Sequence, residues 1–345
     1  MKKIIITIAF IVFIFVVIIS CKKGRNDQAD NSYLSNKHTG VRLVTLSNGS
    51  KTTYTMLEFG SINIYETTFA GLKADMDNYW DAFITENERL NEDELNAKAD
   101  SIGFNEQQPL IDFENNLNFT NSMRFVFTEH ENAWLYNDSL DPATNPSNTY
   151  VFSHEEMAML NNNGEVKIGD SILILSKKGF ILIKDGSLTT LGAIENGDSS
   201  VLDDRNVITN VNEENDKGAC TSWKGRNSDP VIYASDKRVI KHVHFHSYPW
   251  KGVSSAEITS YKKKSSGGWK KWAMYMGVIN QSYFRDSDCK SGPQGTSGWK
   301  IKEAKSVEQN FANWAALPAF RAENGQSVFG FYLYAGLSDY YGLAW

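Results

Sequence analysis

Charge and tryptophan are divided unevenly along this 345-residue chain, and that division constrains its folding more than any motif does. Residues 22–216 hold 15 Lys and Arg against 32 Asp and Glu, a net of −17, whereas residues 217–345 hold 18 against 9, a net of +9. Trp80 and Trp134 lie in the first part and the other seven tryptophans in the second. Such a shift, over the roughly 300 residues left after the N-terminal segment, predicts two dissimilar domains. A further expectation is that the acidic and basic parts dock on one another, which makes the asymmetry internal.

The N-terminus sets the compartment. Met1-Lys2-Lys3 precedes the apolar run Ile4–Ile19. At ~1.5 Å per residue the run spans about 24 Å, short of a ~30 Å hydrocarbon core. A cationic start, an apolar stretch and a small residue before a cut form the secretory pattern. Ile18-Ile19-Ser20-Cys21 resembles the bacterial lipobox, in which the cysteine is diacylated and becomes the new N-terminus. Residues 1–21 therefore read as a lipoprotein signal peptide, Cys21 as the lipid-bearing residue that partners a bilayer, and 22–40 as a flexible polar tether. The competing reading is an uncleaved anchor. Export leaves Cys220 and Cys289 as the remaining pair, and a disulfide closing about 70 residues stabilises by about 4 kcal/mol; two free thiols are the alternative.

Tyr54–Tyr65 reads as a strand interrupted at Gly60-Ser61, and Leu72, Met76, Tyr79, Trp80 and Phe83 fall on one face of a helix within Leu72–Leu90. Asn91, with Glu94 three residues on, opens a second helix that stops at Gly103. Residues 105–148 are polar and punctuated by Pro109, Pro142 and Pro146, which predicts loop with a strand only at Arg124–Thr128. Ser153 and Glu156 cap a helical turn through Leu160. Glu165–Ile168, Ser171–Ser176 and Phe180–Lys184 predict a meander burying Ile172, Ile174, Phe180 and Ile183. Residues 41–194 are thus expected to form an α+β domain, and 195–218 an acidic linker with Val207–Val211 pairing at an edge. Val231–His246, Ser255–Lys263, Trp269–Phe284 and Val328–Ala335 predict an all-β, sandwich-like domain over 219–345. One helix is expected in it at Ser306–Ala316, where Val307, Phe311, Trp314 and Ala315 share a face.

Asn161–Gly186 (NNNGEVKIGDSILILSKKGFILIKDG) resembles a recurrent segment of uncharacterised cell-envelope lipoproteins of the Bacteroidetes. In those, an Asn-Gly-Glu turn, an Ile-Gly-Asp step and a hairpin follow a short helix ending in Leu-Asn. The preceding helices and Tyr54–Tyr65 are similar too, and the Trp-rich remainder looks more loosely like the β-domain often attached. The resemblance implies an outer-membrane lipoprotein and names no activity. It implies O-glycosylation at Asp100-Ser101-Ile102, Asp138-Ser139-Leu140 and Asp170-Ser171-Ile172. Surface export in that phylum places acidic residues just after the lipidated cysteine. Lys22 and Lys23 stand there instead, so periplasmic face and cell surface both remain open.

His242-Val243-His244-Phe245-His246 sets three imidazoles on one strand face. Neighbouring members, about 7 Å apart, can share one zinc or copper ion, but the outer two, ~13 Å apart, cannot both ligate it at ~2.0–2.1 Å. Asp236, Glu257, Asp286 and Asp288 are the candidate third ligands. The competing reading is a solvent-facing strand edge with Val243 and Phe245 buried behind it. Trp250, Trp269, Trp272, Tyr275, Trp299 and Trp314, beside Lys262-Lys263-Lys264 and Lys270-Lys271, offer flat rings for sugars and cations for sulfated, uronic or phosphate-bearing polymers. The competing reading makes the rings a sandwich core and residues 262–268 (KKKSSGG) a solvated hairpin tip.

No nucleophile elbow, phosphate loop, His-Glu-x-x-His or dinucleotide fingerprint occurs. Glu155-Glu156 and Asp203-Asp204 are neighbours that point different ways, which is no acid/base pair, and His154 belongs to a helix start. No catalytic residue is assigned, and nucleic acid is not expected as a partner. The sequence reads as a membrane-tethered exported lipoprotein, a binding or structural component of the envelope. Its expected partners are an anionic glycan, met through the C-terminal β-domain, or another envelope protein. The alternative is a metal-dependent hydrolase using His242, His244 and His246.

Overall fold

The computed structural model describes residues 39–47, 49, 52–137, 139–209, 224–227, 230–285, 291–298, 300–314, 321–333 and 337–344. Gly40–Trp345 form one compact unit. Cys21, Cys220, Cys289 and Trp299 lie outside the described residues. Among those described, no helix is long and apolar enough to cross a membrane.

β1 (Val41–Ser47) pairs antiparallel with β2 (Thr53–Phe59), which ends at Gly60 rather than running on to Tyr65. The Ser61 hydroxyl accepts from the Ile64 N–H at 3.3 Å and opens α1 (Ile62–Glu86). Tyr65, Thr68, Leu72, Trp80 and Phe83 bury one face of that helix, so its apolar start belongs to a 3.6-residue period, not a two-residue one. α2 (Glu92–Ile102) has the ends that the sequence predicts: an Asn91–Glu94 capping box and a left-handed Gly103 at φ 64°. The stretch that reads as loop holds α3 (Gln108–Asn116) and α4 (Met123–Tyr136). Pro109 sits in the first turn of α3, where its missing N–H breaks no helical bond. The β-prone run 124–128 is helical because Phe127 and Trp134 bury on one side while Arg124 reaches the buried Glu114 carboxylate. Tertiary burial overrides local propensity there.

α5 (His154–Met159) carries the expected Ser153–Glu156 capping box. The meander β3 (Glu165–Ile168), β4 (Ser171–Ser176) and β5 (Gly179–Ile183) forms, with Ile172, Phe180 and Ile183 buried and Ile174 partly so. Asn161 organises the turn before it. Its Nδ2 donates to Thr55 O (3.1 Å) and Glu165 Oε2 (2.8 Å), and its Oδ1 accepts from the N–H groups of Asn163 (3.0 Å) and Glu165 (2.9 Å). Gly164 is required at φ 81°, since a Cβ there would lie 2.0 Å from Leu175 O. The segment 161–186 is thus a folding device at this turn. α6 (Leu188–Glu195) covers one sheet face, and β6 (Val207–Thr209) pairs with β5. Part of the acidic stretch 195–218 is therefore built into the sheet, whose order is β1–β2–β3–β4–β5–β6 with β2–β3 parallel.

An all-β region follows this α+β one: β7 (Lys224–Asn227), β8 (Val231–Ala234), β9 (Lys237–Ser247), β10 (Lys251–Lys263), β11 (Trp269–Lys271), β12 (Met274–Arg285), β13 (Ser291–Thr296), β14 (Lys300–Ala304), β15 (Ser306–Trp314), β16 (Arg321–Leu333) and β17 (Leu337–Ala344). One antiparallel sheet runs β11–β10–β9–β7 with β15 on β10 and β8 on β9; the other runs β13–β12–β16–β17 with β14 on β12. Val239, Val243, Ala256, Ile258 and Val307 of the first meet Met274, Met276 and Val278 of the second. Two expectations change here. Trp269–Phe284 is not one strand, because the chain crosses between sheets at Trp272-Ala273. Asn96 of α2 satisfies that crossing by accepting from the Ala273 N–H (2.8 Å) and donating to its C=O (2.9 Å). Ser306–Ala316 is not a helix either, since Ser306–Trp314 pairs with β10 and buries Val307 in the sandwich.

The helices lie on the other face of the β10-containing sheet. Trp134, Leu135 and Leu140 pack with Ile240, Tyr261 and Trp269, and Tyr248 and Val253 join the core that holds Tyr65 and Phe152. Ion pairs cross the same seam. Glu92 of α2 meets Lys237, Asp93 meets Lys262 (3.0 Å) and Asp100 meets Lys270. Glu66 of α1 meets Lys251 (2.8 Å) and Glu131 of α4 meets Lys271 (3.1 Å), while Asp77 of α1 meets Lys300 (3.1 Å) and Lys302 (2.5 Å) of β14 in the other sheet. Acidic residues of the helices thus meet lysines of the β-region within the molecule.

Candidate functional site

Directly paired residues on antiparallel strands share a sheet face. The β9–β10–β15 register therefore sets His242, Glu257 and Glu308 side by side, facing the helices. Ser255 and Asn310 stand one step along in one direction, Thr259 and Ser306 in the other. Like charges opposite one another destabilise a sheet, and here each carboxylate is drawn a different way. Ser306 and Thr259 (3.1 Å) donate to Glu257 Oε1, whereas Ser255 donates to Glu308. With its amide assigned to satisfy its neighbours, Asn310 donates to Glu308 Oε1 (2.9 Å) and accepts from Lys73 Nζ (3.0 Å).

A cleft of about 100 Å³ lies over this row, closed by Lys73, Met76 and Trp80 of α1, Gln107, His154 and Glu155. Burial, and then the charge of Glu308, raise the Glu257 carboxyl to about 7. Burial and the same charge raise Glu155 as well. Burial also lowers both imidazoles, His242 to about 4 and His154 well below its ordinary value, the latter helped by Lys271 and Arg124. Lys271 is held above its usual range: burial opposes its charge, but Glu131 and Glu106 outweigh that. A proton-holding carboxyl beside a second carboxylate and two neutral imidazoles is a constellation suited to moving protons.

The same seam ends differently near His246. Glu156 accepts from the Tyr248 hydroxyl and lies 3.2 Å from His246 Nε2. Burial works against its charge, yet His246, Lys251 and Tyr248 hold the carboxyl well below the usual range. Glu155 and Glu156 indeed point different ways, one into the cleft and one into this lock.

β9 is an interior strand, between β10 and the pair β7 and β8, so the row of histidines is not a solvent-facing edge. His242 and His246 are buried, and the His244 side chain lies outside the described part, as does that of Trp314. Among the described residues, no group of three or more His, Cys, Asp or Glu side chains is placed to hold a metal ion. Trp269 and Trp272 are buried; Trp250 is partly buried, stacks on Tyr248 at 5.2 Å and donates to Glu66 (2.8 Å); Tyr275 is 49% exposed. The sequence offers Glu257 only as a candidate third metal ligand and Lys271 only as a cation for anionic polymers, and it leaves Glu308 unmarked. The available signal was alternation: Ser306, Glu308 and Asn310 are polar at every second residue.

A second feature is the β10–β11 hairpin. Lys262, Lys263, Lys264 and Lys270 wall an open groove of about 640 Å³ with Trp272 and Asp93 beside them. The Lys262 ammonium lies 3.9 Å and that of Lys270 5.1 Å from the Trp272 ring centre, whose Nε1 donates to Glu92 (2.6 Å). Gly268, at φ 70°, seats the hairpin against the end of α4, for a Cβ there would lie 2.8 Å from Leu135 O. A second hollow of about 360 Å³ shares Lys264 and Lys270 with the groove. That hollow shares Glu106, Gln107 and Lys271 with the cleft.

No known family profile matches the chain, and no curated protein does. Among solved structures, it is similar to the crystal structure of a DUF4848 family protein from Bacteroides thetaiotaomicron, with 13% identity over 88% of this chain and 100% of that one and a TM-score of 0.20.

Proposed function

We propose that this chain is an exported lipoprotein, tethered through an acylated Cys21, that holds an anionic glycan along the lysine groove. The groove carries the reading: four lysines, of which Lys262 and Lys270 pair with Asp93 and Asp100, line a hollow of about 640 Å³. Lysine ammoniums attract uronic or sulfated sugars at long range, and salt screens that attraction. The buried Trp272 acts indirectly. It orients Lys262 and Lys270 over its ring instead of offering an open face to a sugar.

Retention of the full-length chain, in detergent, on immobilised polygalacturonate and on neutral dextran tests this. Retention is expected on the anionic polymer alone and is lost near 1 M salt, where screening acts within ~3 Å. Exposed Lys263 and Lys264 changed together to Glu should weaken retention roughly tenfold or more, as like charge replaces attraction. Equal retention on dextran, or indifference to both charge reversals, sinks the reading.

A further inference from the structure

We propose that the cleft beside these hollows is an acid–base site in which Glu257 and Glu308 hydrolyse a glycosidic bond of the polymer in the groove. The inference rests on the groove reading above and adds a reaction to it. Three features of geometry support it. The β10–β15 register places the two carboxyls on one face, while Ser306 and Thr259 on one side and Ser255 and Asn310 on the other draw them apart. The hollow that shares Lys264 and Lys270 with the groove also shares Glu106 and Lys271 with the cleft that holds those carboxyls. The half-buried Met76 gives the cleft an apolar side against which the C–H face of a sugar ring packs.

Glycoside hydrolysis needs one carboxyl that holds a proton and one that accepts one. Protonated Glu257 donates its proton to the glycosidic oxygen. The bond from that oxygen to the anomeric carbon breaks, and its electron pair stays on the oxygen. Water adds through its oxygen to the anomeric carbon, and its surplus proton passes to the Glu308 carboxylate. One water is consumed, and one hydroxyl and one new reducing end appear. Exchange with solvent returns the proton from Glu308 to Glu257. The groups facing Glu257 are Glu308 on β15, His242 on β9, Lys271 on β11, Glu131 on α4, His154 and Glu155 on α5 and Lys73 on α1. Both imidazoles are neutral near pH 7; burial and the charge of Glu308 lead the rise at Glu257, Glu131 adds to it, and the Ser306 hydrogen bond and Lys271 oppose it.

The test uses the full-length chain in detergent with polygalacturonate, alginate and heparin, and measures retention and release of reducing ends separately. The wild type should release reducing ends from a retained polymer, with a rate that falls as pH rises through about 7, where Glu257 loses its proton. Glu257→Gln and Glu308→Gln should each keep retention and lose at least about 100-fold in release. Retention without release from any of the three polymers, between pH 5 and pH 8, overturns the acid–base site and leaves the groove reading standing. Retention of none overturns both. Release that survives both substitutions removes these two residues from the chemistry.

Discussion

Glu156 and Glu257 lie on one seam, between the same helical layer and the same sheet, yet their protons behave in opposite ways. At the Glu156 end the sheet supplies donors, His246, Tyr248 and Lys251, and the carboxyl is held below its usual range. At the Glu257 end the neighbouring strand supplies Glu308, and the carboxyl rises to about 7. Burial opposes charge at both. What differs is whether the facing strand offers a donor or another acceptor, and only the first arrangement binds the layers together. The second costs stability, which is the usual signature of a site kept for chemistry.

The comparison can be broken most readily at the lock. Glu156→Ala leaves a buried imidazole and hydroxyl without their acceptor, and should lower unfolding free energy in urea by about 3–5 kcal/mol. Because the Glu156 pKa is depressed in the fold, its contribution is present at neutral pH and is lost as pH falls below the ordinary carboxyl range. A loss under about 1 kcal/mol would mean that the lock holds nothing. Glu257 predicts the reverse slope. Its folded pKa lies above the ordinary 4.5, so the stability it confers at pH 4 declines as pH rises through about 7. The decline is on the order of 2–3 kcal/mol, with Glu155 adding to it in the same sense. Melting temperature against pH should therefore flatten between pH 5 and pH 8 in Glu257→Gln; an unchanged slope refutes the assignment. The smallest effects belong to the exposed pairs. Asp93→Asn and Asp100→Asn should cost about 0.2–1 kcal/mol each, and less in high salt, because solvent already screens them.

Much of the architecture is legible in the amino-acid sequence alone. The α+β to all-β order, the capped ends of α2 and α5, and the 161–186 meander follow from local rules: a side-chain cap, a left-handed glycine, alternation between turns. Local rules failed where distant partners decide. Arg124–Thr128 has the composition of a strand, yet α4 forms because Arg124 finds Glu114 and Trp134 finds Ile240 and Tyr261. Ser306–Trp314 has a helical spacing, yet β10 claims it. The candidate site depends on that second failure, since Glu308 meets Glu257 only if residue 308 lies in a strand. His242 was singled out for its neighbours in sequence; its structural meaning comes from Glu257 across the ladder.

The close approach at Gly268 bears on how this surface would associate with anything. Because the hairpin already rests on the carbonyls of Leu135 and Tyr136, the backbone that carries its lysine array is set before a ligand arrives. Association then orders the incoming polymer and a few ammonium termini, with no loop to fold, so most of the entropic penalty falls on the ligand. A stiff polymer should on that account bind more tightly than a flexible one of equal charge density. An alanine at residue 268 would remove the preference by lifting the array from its support.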